Sequence, residues 1–178
     1  MSTRLLLVTG STRAASSNTS ALRTVAAMAP SEVVTELDTS LAELPAFNPD
    51  DDVDPLPPTV AALRERISAA DAVLFCTPEY AGALPGSFKN LLDWTVGGMA
   101  IQGKPVGWIN ISSMPAGARD AHGSLATVLR YVDARVIDGA CAAVPIRRDQ
   151  IGTNGLIDDP SVRDEFRRVI DALATAAD

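Results

Sequence analysis

Two hydrophobic periods take turns along this chain. Short, continuous apolar runs of strand length alternate with longer stretches in which apolar residues recur every three or four positions. The run from Arg4 to Thr9 predicts a buried strand, and Asn18 to Met28 predicts a helix with Leu22, Val25, Ala26 and Ala29 at helical spacing. Val33 to Leu37 reads as a second strand. Residues 39 to 58, rich in Asp and Pro and closed by Pro57-Pro58, read as an irregular connection too acidic for the core. Thr59 to Ala69 is a helix with Val60, Leu63 and Ile67 on one face, and Ala72 to Thr77 is a third, fully apolar strand. Helices over Phe88 to Val96 and Arg119 to Tyr131 then alternate with strands over Pro105 to Ile111 and Arg135 to Val144. Ser161 to Ala177 closes the pattern as an amphipathic helix with Val162, Phe166, Val169, Ile170 and Leu173 inward.

Strict alternation of strand and helix is the pattern of a parallel sheet covered on both faces. Five strands joined by right-handed crossovers most economically take the doubly wound order 2-1-3-4-5, one α/β domain over residues 1 to 178 with no internal repeat or linker. In that order the chain reverses direction across the sheet between strands 1 and 3. A crevice therefore opens at the carboxyl ends of those two strands, and each is followed by an unusual loop. One is Gly10-Ser11-Thr12-Arg13-Ala14-Ala15-Ser16-Ser17-Asn18 and the other runs from Thr77 to Gly86.

Composition narrows the classes of partner. The 178 residues carry a formal net charge of −7, which disfavours a nucleic-acid partner or an anionic membrane surface. No apolar run approaches the roughly 20 residues that span a bilayer. The start, Met1-Ser2-Thr3-Arg4 before Leu5-Leu6-Leu7-Val8, is too short in its apolar part for a secretory signal, and is read as the first strand of a cytoplasmic protein. The two cysteines, Cys76 and Cys141, lie among apolar neighbours without a C-x-x-C pair, so reduced core thiols are expected and a zinc site is not.

In the first loop, Ser11, Thr12, Ser16, Ser17 and Thr19 offer hydroxyls, Arg13 a planar cation, and Asn18 or Ser17 a helix cap. A phosphate there would meet free backbone N–H groups and the positive end of a helix dipole. A polar turn with an ordinary cap has the same residue types. The Walker pattern G-x-x-x-x-G-K-[ST] is absent, and Gly10 stands alone where G-x-G-x-x-G would be needed. Glu36 and Asp38 at the end of strand 2 are accordingly read as solvated charges. A monophosphate fits better than a pyrophosphate.

In the second loop, Pro78 and Pro85 stiffen the backbone while Gly82 and Gly86 permit close approach, so peptide groups could meet the edge of a flat ring, with Tyr80 against its face. A third segment, Ser112 to Arg119, follows strand 4 on the same side of the sheet. A hydrolase would have to use His122, the only histidine, without a G-x-S-x-G elbow; His122 is read as a surface or helix-start residue. The Asp50-Asp51-Asp52 and Asp158-Asp159 clusters read as solvated turns.

These residues resemble a known family. GSTRAASSN after the first strand, TPEYAGALPGSFKNLLDW after the third and a Gly-Ala-Arg segment after the fourth are similar to the NADPH-dependent FMN reductases, flavodoxin-like proteins that include chromate, quinone and azo-dye reductases. The resemblance implies that Ser11, Arg13, Ser16, Ser17, Asn18 and Thr19 hold the FMN phosphate. It implies that Pro78, Glu79, Tyr80, Ala81 and Gly82 line the isoalloxazine edge, mainly through backbone, with Ser112 and Gly117 beside the ring. Lys89, Asn90, Asp93 and Trp94 match the helix that supports the loop and a homodimer or homotetramer interface. Two positions depart from the family pattern: Ala81 replaces an Asn, and Thr19 stands where Arg or Lys is common. The implied reaction passes hydride from NADPH or NADH to FMN and then to a small acceptor such as a quinone, azo compound, metal oxyanion or free flavin, with no essential catalytic side chain. A flavodoxin-like FMN-binding or electron-carrier protein without efficient NAD(P)H turnover is the alternative.

Overall fold

The structure, a computed structural model, describes residues 2–114 and 117–177. Its strands are β1 (Thr3–Thr9), β2 (Val33–Asp38), β3 (Ala72–Cys76), β4 (Pro105–Asn110) and β5 (Arg135–Ala143). All pair in parallel, in the order β2-β1-β3-β4-β5. The helices are α1 (Ser17–Met28), α2 (Pro58–Ala69), α3 (Gly86–Asp93), α4 (Arg119–Tyr131) and α5 (Pro160–Ala177). The flavodoxin-like topology read from the sequence is the one observed.

The period of two in the strands distributes the core to both faces. Leu5 and Leu7 of β1, with Ala72, Leu74 and Cys76 of β3, meet α1 and α5 through Leu22, Val25, Phe166, Val169, Ile170 and Leu173. Leu6 and Val8, with Val73 and Phe75, face Leu63 and Ile67 of α2, Phe88, Leu91 and Leu92 of α3, and Leu125 and Leu129 of α4. Because both faces are covered, the central strands read as unbroken apolar runs.

Most element ends lie within one residue of the expectation; α3 is the main departure. It starts at Gly86, where the Pro85 carbonyl accepts from Phe88 and Lys89 N–H, and stops at Asp93 rather than Val96. The reading of residues 39 to 58 as an irregular connection too acidic for the core also needs correction. This stretch contains short 3₁₀ turns at Ser40–Ala42 and Pro49–Asp51, and Leu41 is buried in the core beneath α2 and α3. Asn90 donates to the Pro45 carbonyl (2.9 Å) and accepts from Phe47 N–H (2.7 Å), while Trp94 Nε1 donates to the same Pro45 oxygen (2.9 Å). Phe47 packs edge-on against Trp94, with ring centroids 5.0 Å apart. Asp52 pairs with Arg64 at 2.6 Å, both side chains largely buried.

Asp38 is a second correction. It is 3% exposed, and its carboxylate accepts from Ser40 N–H and Oγ and from Arg66 of α2, which lies 3.1 Å away. Nothing beside Asp38 in the sequence marks this pairing, because Arg66 lies 28 residues further on. Glu36 is the more exposed member of the pair, 4.0 Å from the same Arg66.

Candidate functional site

The loops that follow β1, β3, β4 and β5 meet at the carboxyl end of the sheet around a cleft of about 420 Å³. That size is within the range of pockets that enclose small ligands and cofactors. Ser17 and Asn18 of α1 line it on one side and Thr77, Pro78 and Glu79 on another. Ile111 to Met114, Ala118, Ile146 and Arg148 complete the wall. Pro78, Ile111, Met114 and Ile146 give it apolar surfaces, and Glu79 and Arg148 supply opposite charges. A second pocket of about 190 Å³ adjoins the first loop, lined by Thr9, Ser11, Thr12, Arg13, Thr19, Arg23 and Thr39 among others.

The first loop is shaped mainly by its own hydroxyls. Gly10 N–H donates to the Cys76 carbonyl (2.8 Å), which ties the loop to the end of β3. Ser11 N–H donates to Thr9 Oγ1 (3.3 Å), Thr9 and Thr19 share a hydroxyl contact at 3.1 Å, and Ser11 Oγ accepts from Arg13 N–H (3.4 Å). The α1 cap is Ser16, whose Oγ accepts from Thr19 N–H (3.3 Å), rather than Ser17 or Asn18. Ser17 and Asn18 therefore stand in the first helical turn, where backbone N–H groups have no intrahelical acceptor. Asn18 Oδ1 is 3.3 Å from the Cys76 thiol, whose pKa burial pushes far up. Cys141 is half-buried, and burial pushes its pKa up to about 11.

In the second loop, Tyr80 and Ala83 exchange backbone hydrogen bonds of 3.0 and 3.1 Å, and Ala81 and Gly82 between them have φ of +52° and +71°. Two successive positive φ values at the centre of such a pair define a type I′ turn, whose preferred sequence is Asn-Gly. The departure at Ala81 thus falls on a backbone position that favours Asn. This hairpin carries Tyr80 outward, 52% exposed, so Pro78 and Glu79 line the cleft while Tyr80, Ala81 and Gly82 lie beyond it.

The Glu79 side chain has a role the sequence reading missed. Its Oε2 accepts from Asp120 N–H and Ala121 N–H, each at 3.0 Å, at the start of α4. In the third segment, Ser112 lines the cleft and its N–H donates to Asn110 Oδ1 (3.0 Å); Asn110 Nδ2 donates to the Gly117 carbonyl. Pro115 and Ala116 of this segment lie outside the described residues. His122 sits in the first turn of α4, as one expectation had it, but it is 7% exposed rather than on the surface. Its Nδ1 donates to the Ala118 carbonyl (2.8 Å), and burial, the largest influence, lowers its pKa.

Ile146 and Arg148 were also missed. Val144 and Ile146 N–H groups pair with the carbonyls of Asn110 and Ile111, which extends β5 alongside β4 and brings Ile146 to the cleft. The available signal was topological, since every strand of a doubly wound sheet delivers its carboxyl end to the same side.

The residues present suit a flavin mononucleotide: a ring-sized cleft with apolar walls, beside a helix N-terminus and two arginines with no acid within ion-pair distance among the described residues. Comparison with known proteins agrees. The family model described as NADPH-dependent FMN reductase matches residues 3–149, and the chain belongs to that family. It is 28% identical over 172 residues to an NAD(P)H-dependent FMN reductase of Pseudomonas aeruginosa, covering 96% of this chain and 92% of that one. It is 37% identical over 145 residues to a quinone reductase of Escherichia coli (strain K12), covering 78% and 76%. Among solved structures, FerB, a flavoenzyme NAD(P)H:(acceptor) oxidoreductase from Paracoccus denitrificans, superposes with a TM-score of 0.84 at 26% identity, covering 97% and 98%. The chain is an FMN-dependent NAD(P)H oxidoreductase.

Proposed function

We propose that the whole chain works as one unit in which the first loop holds the FMN phosphate and the 420 Å³ cleft holds the ring, for reduction of small planar acceptors, quinones foremost. The single observation that carries this reading is the convergence of the β1, β3, β4 and β5 loops on that cleft.

Ser17 and Asn18 N–H groups and the Arg13 guanidinium bind the phosphate, while the hydroxyls of Ser11, Ser16 and Thr19 hold the loop in shape. Pro78, Glu79 and Ser112 flank the ring, and the apolar surfaces of Ile111, Met114 and Ile146 exclude water and accept flat, uncharged substrates. Arg148, at the exposed lip, attracts the phosphates of the nicotinamide nucleotide. FMN held there would supply the redox chemistry, the passage of hydride from nicotinamide to acceptor. No protein side chain need exchange a proton for the first transfer. Support for a quinone acceptor comes from the apolar lining and from the relative that bears that name.

A homodimer is the assembly we favour, because Val53, Tyr80, Val96 and Met99 are more than half exposed. Among the described residues no helix is long and apolar enough to cross a membrane, and the two free thiols suit the reducing cytoplasm.

The test is spectroscopic. Purified protein should carry, or take up, FMN with its visible absorption bands, and anaerobic NADPH or NADH should bleach them within minutes, a quinone restoring them. Flavin that stays oxidised with both nucleotides would remove the reductase reading. Sedimentation velocity should give a dimer, and a monomer would remove the assembly.

A further inference from the structure

Helix α4 starts without a cap of its own. Its N-cap position is Ala118, which offers no side-chain acceptor and lies in the left-handed region at φ +50°. A helix start ordinarily takes an acceptor oxygen from a Ser, Thr, Asp or Asn side chain at this position. Here the missing acceptor comes from Glu79, whose Oε2 takes both the Asp120 and Ala121 N–H groups at 3.0 Å. A carboxylate at that place also meets the positive end of the helix dipole.

Glu79 and Ala118 both line the cleft, on loops that approach it from β3 and from β4. The two hydrogen bonds thus join the second-loop wall to the third-loop wall. Behind the third loop, Asn110 bonds to Ser112 and Gly117, and the Gly117 N–H donates to the Met114 carbonyl (2.8 Å). Ser112 and Gly117 are thus held by Asn110, and the start of α4 by Glu79. Removing the Glu79 tie leaves α4 uncapped and the wall formed by Ser112 and Ala118 free to shift away from Pro78.

We infer that Glu79 is a positioning residue: its carboxylate ties the β3 loop to the start of α4 and so fixes the width of the slot that receives the flavin ring. The inference rests on the FMN reading above. It predicts an effect on the ring half of the cofactor and none on the phosphate half.

The experiment measures dissociation constants of FMN and of riboflavin, which has the ring without the phosphate, for wild type, Glu79→Ala, Glu79→Gln, Glu79→Asp and Arg13→Ala. Amide hydrogen exchange at Asp120 and Ala121 is followed in the flavin-free proteins. Glu79→Ala should weaken FMN and riboflavin by the same factor, about tenfold, or 1.4 kcal/mol. Glu79→Gln keeps an oxygen that can accept both N–H bonds, and should recover most of the loss. Glu79→Asp keeps the charge but falls one methylene short, and should resemble the Ala variant. Arg13→Ala should weaken FMN alone. Exchange at Asp120 and Ala121 should quicken in the Ala and Asp variants and stay slow in Gln. Riboflavin affinity unchanged in Glu79→Ala, a loss confined to FMN, or Asp rescuing where Gln does not would each overturn the positioning role. Wild-type protein that binds neither flavin would overturn the cofactor reading, while the exchange rates would still report on the tie itself. Should Glu79→Ala fail to fold, the contrast between Gln and Asp decides the matter.

Discussion

Gly10 lies so close to Thr77 that a side chain cannot be placed on it. A Cβ built there would sit 2.1 Å from Thr77 Oγ1, 2.4 Å from its Cβ and 2.9 Å from its Cα. The contact holds the loop after β1 against the end of β3 and sets the spacing of the first two cleft loops. Gly10→Ala should therefore cost about 1–3 kcal/mol of stability, as overpacking does, and should weaken FMN binding as well. Thr77→Ala in the same protein should not restore either property, because the Cβ and Cα of residue 77 remain. Urea unfolding and a flavin titration check this, and full recovery in the double variant would show that the clash is with the hydroxyl alone.

Ala81 makes the opposite kind of prediction. A non-glycine residue in the left-handed region costs about 1–2 kcal/mol, and Ala81 at φ +52° precedes Gly82 at +71° in the Tyr80–Ala83 turn. Asn tolerates that conformation better than Ala. Ala81→Asn and Ala81→Gly should each raise stability, by about 0.5–1 kcal/mol, seen as a higher melting temperature of the flavin-free protein. A lower melting temperature in both variants would mean that the turn is not under this strain.

The fold was legible in the sequence because its determinants are local. The unbroken apolar runs of β1 and β3 and the spacing of Val162, Phe166, Ile170 and Leu173 in α5 are each set by burial on one or two faces. The two principal loops were legible for the same reason, since Gly, Pro and Ser act on their own backbone. What escaped were pairings between distant residues. Nothing near Glu79 indicates that its partner is the start of α4, nothing near Asp38 indicates Arg66, and Asp52 lies in a run that composition alone assigns to solvent. The φ of Ala81 was hidden differently: sequence showed the departure from Asn, but only the backbone shows why Asn suits that place.

The Asp52–Arg64 pair anchors the acidic connection between β2 and α2. Arg64 Nε also donates to the Trp94 carbonyl (2.8 Å), so one guanidinium joins α2, the end of α3 and the connection. Removing one partner of a largely buried ion pair typically costs about 3–5 kcal/mol, since the other charge is left uncompensated. Arg64→Ala should lower the urea midpoint accordingly, whereas Arg147→Ala, which breaks an exposed pair with Asp149, should change it by less than about 0.5 kcal/mol. Equal effects would place Asp52 in solvent.

Arg13 and Arg23 line the same pocket beside the loop after β1, so their contributions to FMN affinity can be separated only by substitution. Arg13 belongs to the loop itself, and Arg23 lies further along α1. Arg13→Ala should weaken FMN by about tenfold or more, in keeping with loss of a charge-assisted hydrogen bond. Arg23→Ala should cost clearly less, mostly through long-range attraction that added salt removes. A titration at low and moderate ionic strength measures both. Equal losses would shift the phosphate toward Arg23 and deeper into that pocket.

His122 links stability to pH with a sign that can be worked out. Its Nδ1 carries the proton shared with the Ala118 carbonyl, and its Nε2 is buried with no partner among the described residues. Burial holds the folded-state pKa below the ordinary 6.5, although the Ala118 hydrogen bond and the nearby Glu79 charge act the other way. As pH falls through about 6.5 the unfolded chain takes up a proton that the folded protein refuses. The unfolded state then binds more protons, and stability declines from about pH 6.5 down toward the folded pKa, while above 6.5 it is independent of this group. His122→Gln removes the titration. The fall in melting temperature between pH 7.5 and 5.5 should be smaller in the variant than in wild type, and charges at the start of α4, Glu79 and Asp120, are common to both proteins. Parallel melting curves across that interval would show that His122 is protonated as readily in the folded protein as in the unfolded chain.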